Sequence, residues 1–133
     1  TDMSKKTDTL GKLERVARLK SDLEMQRFSA FRAHLMAARA RVEHLGDELE
    51  AVYRSDSAFS VAAARLTNAL AGEKSRALMR AETDLAQMMP GFEIARRSAV
   101  RAFGRAEVLR DLREAARTDH RLQCERRLSG EGG

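Results

Sequence analysis

Phe28, Phe31, Leu35, Ala38, Val42, Leu45, Leu49 and Val52 follow one another at steps of three and four residues. That interval keeps one seam of a helix facing a single partner helix. The beat carries on through Asp56, Phe59, Ala63, Leu66 and Leu70. A second train in the same rhythm runs Leu78, Ala81, Leu85, Met88, Phe92, Ala95, Ala99, Ala102, Ala106, Leu109, Arg113 and Ala116. Two matched seams with a short polar break between them predict a helix that reverses and pairs with itself.

The expected fold is therefore all-α: one domain over 1–133, a long antiparallel two-helix coiled-coil hairpin. Its first arm is expected at about 9–71, the turn at about 71–75 and the second arm at about 76–128, with a disordered tail at 129–133. Gly72, in Ala71-Gly72-Glu73-Lys74-Ser75, is placed to end a helix in a C-terminal cap. Pairing across such a turn sets Leu66 against Leu78, Val52 against Phe92 and Leu35 against Leu109. A proline inside a helix removes one hydrogen bond and clashes with the preceding turn, so Pro90 predicts a kink at 89–91. Arg54-Ser55-Asp56-Ser57 favours a cap, yet the seam phase runs across it, so it reads as a polar seam layer at the level of that kink. The alternative takes both breaks, near 54–57 and 89–91, as the corners of a three-helix bundle.

Toward the amino terminus Leu13, Val16, Leu19 and Leu23 form a stripe that is out of step with the main seam. Extending the seam backwards would put Ser21 and Glu24 in the core, so a register slip is expected near Met25. Residues 1–9 are polar apart from Met3 and are expected to fray, with Asp8 or Thr9 capping the first helix and Met3 as the natural start. Gly46 reads as a tolerated glycine rather than a point of close approach.

Much of the apolar content is alanine, and the chain has no Trp, one Tyr and one Pro. This is the inventory of long helices, and it argues against a compact globular core. With one cysteine, Cys124, no internal disulfide can form. The opening residues lack the apolar core of a signal peptide, and no apolar run is long enough to span a bilayer. A cytoplasmic protein without membrane insertion is the expectation.

His120 and Cys124 share a helix face, but two ligands at this spacing do not make a zinc site. No carboxylate pair, phosphate-binding glycine loop, nucleophile elbow or dinucleotide fingerprint is visible, and a two-stranded coil has no walled pocket to shift a catalytic pKa. Neither enzymatic activity nor a cofactor or metal is expected. The formal net charge is +5, and the excess gathers on the second arm, with Arg97, Arg101, Arg105, Arg110, Arg117 and Arg121 as the basic-arm candidates. They fit an acidic partner surface or phosphate, so nucleic acid is the alternative partner. Self-association is open too, since Asp56 and Arg113 make the seam imperfect.

The opening Leu10-Gly11-Lys12-Leu13-Glu14-Arg15-Val16-Ala17-Arg18-Leu19-Lys20, leading through Leu23, Glu24 and Gln26 into a long coil, resembles the start of the FliJ/YscO-type proteins of flagellar and type III protein export systems. Ala106-Glu107-Val108-Leu109-Arg110-Asp111-Leu112-Arg113 resembles the stretch near their other end. The resemblance implies a cytoplasmic stalk for protein transport that binds protein partners, docking on an export ATPase ring and an export gate. The coil end formed by both termini would enter the ring, which makes Leu13, Val16, Leu19, Leu122 and Leu128 the partner-binding candidates.

Overall fold

The computed structural model describes residues 2–55 and 60–131. Two helices account for nearly all of them, α1 at Asp2–Arg54 and α2 at Val61–Glu131, and they pack against each other as a helical hairpin. Among the described residues there is no strand, and no helix is long and apolar enough to cross a membrane.

The reversal falls between Arg54 and Val61, not at 71–75. At the end of α1 the Ser55 hydroxyl donates to the Val52 carbonyl (3.0 Å). Ser60 begins α2 by accepting from the Ala63 amide on its side-chain oxygen (3.1 Å), as an N-cap does. Serine at both edges thus ends and starts helix where the heptad phase alone would have carried it through; Asp56 and Phe59 lie outside the described residues. The expected cap at Gly72 is absent because no described glycine has a positive φ. Ala71, expected at the turn, is a buried seam position of α2.

Nor does α2 stop at Pro90; it runs through as one helix. Of the two corners drawn for a three-helix bundle, the first is where α1 ends and the second does not exist. At the chain's start α1 is helical from Asp2, so Thr9 is no cap: its hydroxyl donates back to the Lys5 carbonyl (2.9 Å). At the other end Ser129 and Gly130, expected in the tail, belong to α2.

The packed residues fall into two compact units, Thr1–Phe28 with Ala95–Gly133, and Ser29–Ile94. In the second unit Leu35, Leu45 and Val52 are buried on α1 with Phe31, Ala38, Val42 and Leu49 half-buried in the same 3–4 steps. Facing them on α2 are Ala71 and Ala81, buried, with Lys74, Leu78, Leu85, Met88 and Phe92 half-buried. Lys74 Nζ donates to Glu48 Oε2 (2.6 Å), and His44 Nε2 lies 2.7 Å from the other oxygen. These contacts replace the expected pairing: Phe31, not the 54–57 stretch, meets the Pro90-Gly91 level. Leu66 and Leu70, placed in the seam by the sequence, are exposed.

Gly91 is there for Phe31. A Cβ on Gly91 would stand 2.7 Å from Phe31 Cζ, well inside van der Waals contact, whereas one on Gly46 would meet nothing within 4 Å. Alanine is worth about 1 kcal/mol over glycine inside a helix. Gly46→Ala should therefore raise stability by about that much, and Gly91→Ala should lower it because the ring is displaced. In a Phe31→Ala background Gly91→Ala should instead stabilise by about 1 kcal/mol. Urea melts of the four-member cycle measure the coupling, and additive changes would refute the contact.

In the first unit the seam on α2 is almost all alanine: Ala99, Ala102, Ala106 and Ala116 are buried. On α1 the same beat reaches back without a slip through Ser21, Glu14 and Gly11, all buried, with Ala17 and Glu24 half-buried. The register slip expected near Met25 does not occur. The phase set by the large residues at 28–52 simply continues, and Leu13, Val16, Leu19 and Leu23 are left outside.

Candidate functional site

The first unit buries small and polar side chains while it exposes large apolar ones. Glu14 is 7% exposed, whereas Val16 is 64% and Leu19 70% exposed. Burying a carboxylate costs free energy unless it is paired, and Glu14 is paired twice. Arg113 Nη1 donates to Glu14 Oε2 (2.8 Å) and Arg18 Nη2 to Oε1 (3.3 Å). Gly11 lies against the same guanidinium: a Cβ there would make an ordinary contact with Arg113 Nε at 3.5 Å. That Nε is buried without a hydrogen-bond partner, so the guanidinium is held by one edge. Arg113, an imperfection in the sequence seam, is thus matched within the chain.

The hydrogen bond from Arg113 holds the Glu14 carboxyl below its ordinary value of 4.5; burial opposes this and Arg18 adds to it. A carboxylate with a depressed folded-state pKa contributes stability that is full above the ordinary value and lost as pH falls through the folded value. The thermal midpoint of the native chain should therefore fall more steeply between about pH 5 and pH 3 than that of Glu14→Gln. Parallel curves would show that the pair contributes nothing. In the second unit Lys74 lowers the Glu48 pKa by its hydrogen bond, and Glu48 raises that of Lys74. That bridge holds from the carboxylate range up to the lysine range.

Outside the seam, Leu13, Val16, Leu19 and Leu23 are exposed on α1, and Val108 and Leu112 on α2. An apolar ladder outside a filled seam marks a contact surface. The five partner-binding candidates are all exposed, but they do not form one cluster. Leu13 lies at the Arg113 level; Leu122 lies beside the Met3–Cys124 level, about 13 Å farther along α2 at 1.5 Å per residue. Leu128 is farther still. Leu23, Val108 and Leu112 are exposed apolar residues of the same unit that the sequence reading did not single out as candidates, although the offset stripe already contained Leu23.

The basic candidates divide as well. Arg110 is engaged by Glu107 (2.8 Å) and Asp111 (3.1 Å). Arg97, Arg101 and Arg105 are exposed and make no hydrogen bond or ion pair among the described residues. Arg101 and Arg105 share a groove with Lys20, Glu24, Ser98 and Ala102, and Glu24 is engaged by Arg27 (3.3 Å). Arg117 and Arg121 form a separate exposed patch with Glu114 and Thr118. On the other side of the unit, Met25, Phe28, Ala99, Val100 and Phe103 line a second groove with Arg96.

His120 Nε2 and Cys124 Sγ are 3.8 Å apart. Among the described residues no group of three or more His, Cys, Asp or Glu side chains is arranged to hold a metal ion. The net positive charge of the chain lies entirely in the first unit; in the second, acidic residues outnumber basic ones by one. No protein-family model matches the chain, nor does any curated protein or solved structure.

Proposed function

We propose that the protein is a non-enzymatic helical adaptor that docks on a larger protein, acting as a cytoplasmic stalk of a flagellar or type III export apparatus. The exposed ladder Leu13, Val16, Leu19 and Leu23 carries this reading. Turning α1 within its pairing could bury those four side chains in place of Glu14 and Ser21, so the fold forgoes apolar burial that a second protein can supply. Sequences depart from the locally favourable choice mainly where function requires it. The resemblance of 10–20 to the opening of the FliJ/YscO-type proteins supplies the export setting, with an ATPase ring and an export gate as partners.

The test is gel filtration of the full chain with a purified export ATPase, native against Val16→Asp/Leu19→Asp. Both side chains are exposed, so the variant keeps its fold. Co-elution of the native chain and its loss in the variant is the expected result; equal elution of the two counts against the ladder. A second reading, nucleic-acid binding through the basic arm, is favoured by the charge excess in the first unit. Retention on random DNA that falls steeply with added salt would support it.

A further inference from the structure

The groove of Lys20, Arg101 and Arg105 is bordered by two stripes that each repeat the 3–4 beat on the outside of the hairpin. On α1 the stripe is Leu13, Val16, Lys20, Leu23 and Arg27, and on α2 it is Ser98, Arg101, Arg105, Val108 and Leu112. Steps of three and four on both borders are what a further helix needs in order to lie along a groove. The antiparallel pairing of the unit, with Glu14 on Arg113 and Lys20 in the same groove as Arg105, sorts the stripes by chemistry. One end is apolar, with Leu13 and Val16 beside Val108 and Leu112. The other is cationic.

We infer that this groove takes an acidic amphipathic helix of the partner protein, its apolar turn over Leu13, Val16, Val108 and Leu112 and its carboxylates over Lys20, Arg101 and Arg105. The inference deepens the docking reading and rests on it. Charge complementarity selects this occupant. Arg97, Arg101 and Arg105 stand four apart with no acid among them, and like charges at that spacing destabilise a helix. The groove's single carboxylate, Glu24, is taken by Arg27, so the cations are left for an outside anion. Phosphodiesters would meet the cations but have nothing for the leucine end, and this side of the unit offers no aromatic ring for a base to stack on. A second copy of the chain would bring its own excess of cations to the same groove.

The test uses the full chain and three fluorescent probes in anisotropy titrations at physiological salt. Two are synthetic helices of one heptad design, apolar in one half, that differ only in Glu or Lys at the positions over the cations. The third is a random-sequence DNA duplex. The native chain should bind the Glu helix at least about tenfold more tightly than the Lys helix, and Arg101→Glu/Arg105→Glu should reverse that order. Circular dichroism should leave the helix content of the variant unchanged, since neither arginine has a partner in the fold. Equal affinity for the two helices, an order unchanged by charge reversal, or tighter binding of the duplex than of the Glu helix would overturn the proposal. So would a native dimer that Arg101→Glu/Arg105→Glu dissociates. ATPase capture lost in Val16→Asp/Leu19→Asp but kept in Arg101→Glu/Arg105→Glu would remove this inference and leave the docking reading standing. Charge-selective binding of the Glu helix without ATPase capture would do the reverse.

Discussion

Leu35→Ala should lower the unfolding free energy by about 3 kcal/mol, the largest loss expected of any single truncation in the chain. Leu35 is 2% exposed and, among the described residues, is the one large side chain buried to that degree. Its loss removes transfer energy and leaves a void between the Phe31–Gly91 and Glu48–Lys74 contacts. A two-helix interface can close part of that void, which keeps the value in the middle of the range seen for leucine truncations. The control is Leu66→Ala. Both leucines fall on the seam read from the sequence, yet Leu66 is exposed, and its truncation should cost less than about 0.5 kcal/mol. Urea melts should show a shifted midpoint with an unchanged slope for Leu35→Ala. Equal losses at the two positions would mean that the reversal does not lie between Arg54 and Val61.

Ala99→Leu should cost about 2 kcal/mol, although it adds apolar surface. Ala99 is 2% exposed in a row with Ala102 and Ala106, and it lies at the level of Met25 and Phe28. Large side chains of α1 already close over that methyl group, and a leucine can be admitted only by displacing them or by moving the helices apart. Ala115→Leu, on the exposed face of the same helix, should change stability by less than about 0.5 kcal/mol. A loss of thermal midpoint at Ala99 alone is the expected pattern. A stabilised Ala99→Leu would show a loosely filled seam and would remove the reason why Leu13 and Val16 stay outside.

The seam itself was legible in the sequence. Every position read on α1 between Phe28 and Val52, and on α2 between Leu78 and Ala116, is buried or half-buried at its expected phase. Period alone did this, because large side chains at 3–4 steps leave a helix one way to face its partner. The reversal was misread because Ser55 and Ser60 act through hydrogen bonds to backbone that a heptad count does not register, while Gly72 looked like a cap without being one. Pro90, which made a second corner conceivable, lies inside a continuous helix. A proline removes one donor and leaves one carbonyl to be satisfied; on the exposed side of α2 water can take that carbonyl, so the helix continues. The amino-terminal stripe shows the limit of hydrophobicity as a guide. Leu13, Val16, Leu19 and Leu23 looked like core, and only the pairing of Glu14 with Arg113 made the polar alternative affordable. The basic arm was visible as composition, but which arginines are engaged, as Arg110 is, and which are not depended on neighbours that only the fold supplies.

A ridge of identical methyl groups has no marks along it. Ala95, Ala99, Ala102 and Ala106 would pack against α1 almost as well after a slide of one heptad, and nothing in their size would resist it. The Glu14–Arg113 bridge cannot slide, because seven residues of travel would leave Glu14 facing Ala106 or His120 and Arg113 facing Thr7 or Ser21, and the buried carboxylate would lose its partner. Glu48 and Lys74 index the second unit in the same way. Each unit therefore carries an ionic key: in the first it indexes a row of alanines that has no other mark, and in the second it adds to the fit of Phe31 against Gly91.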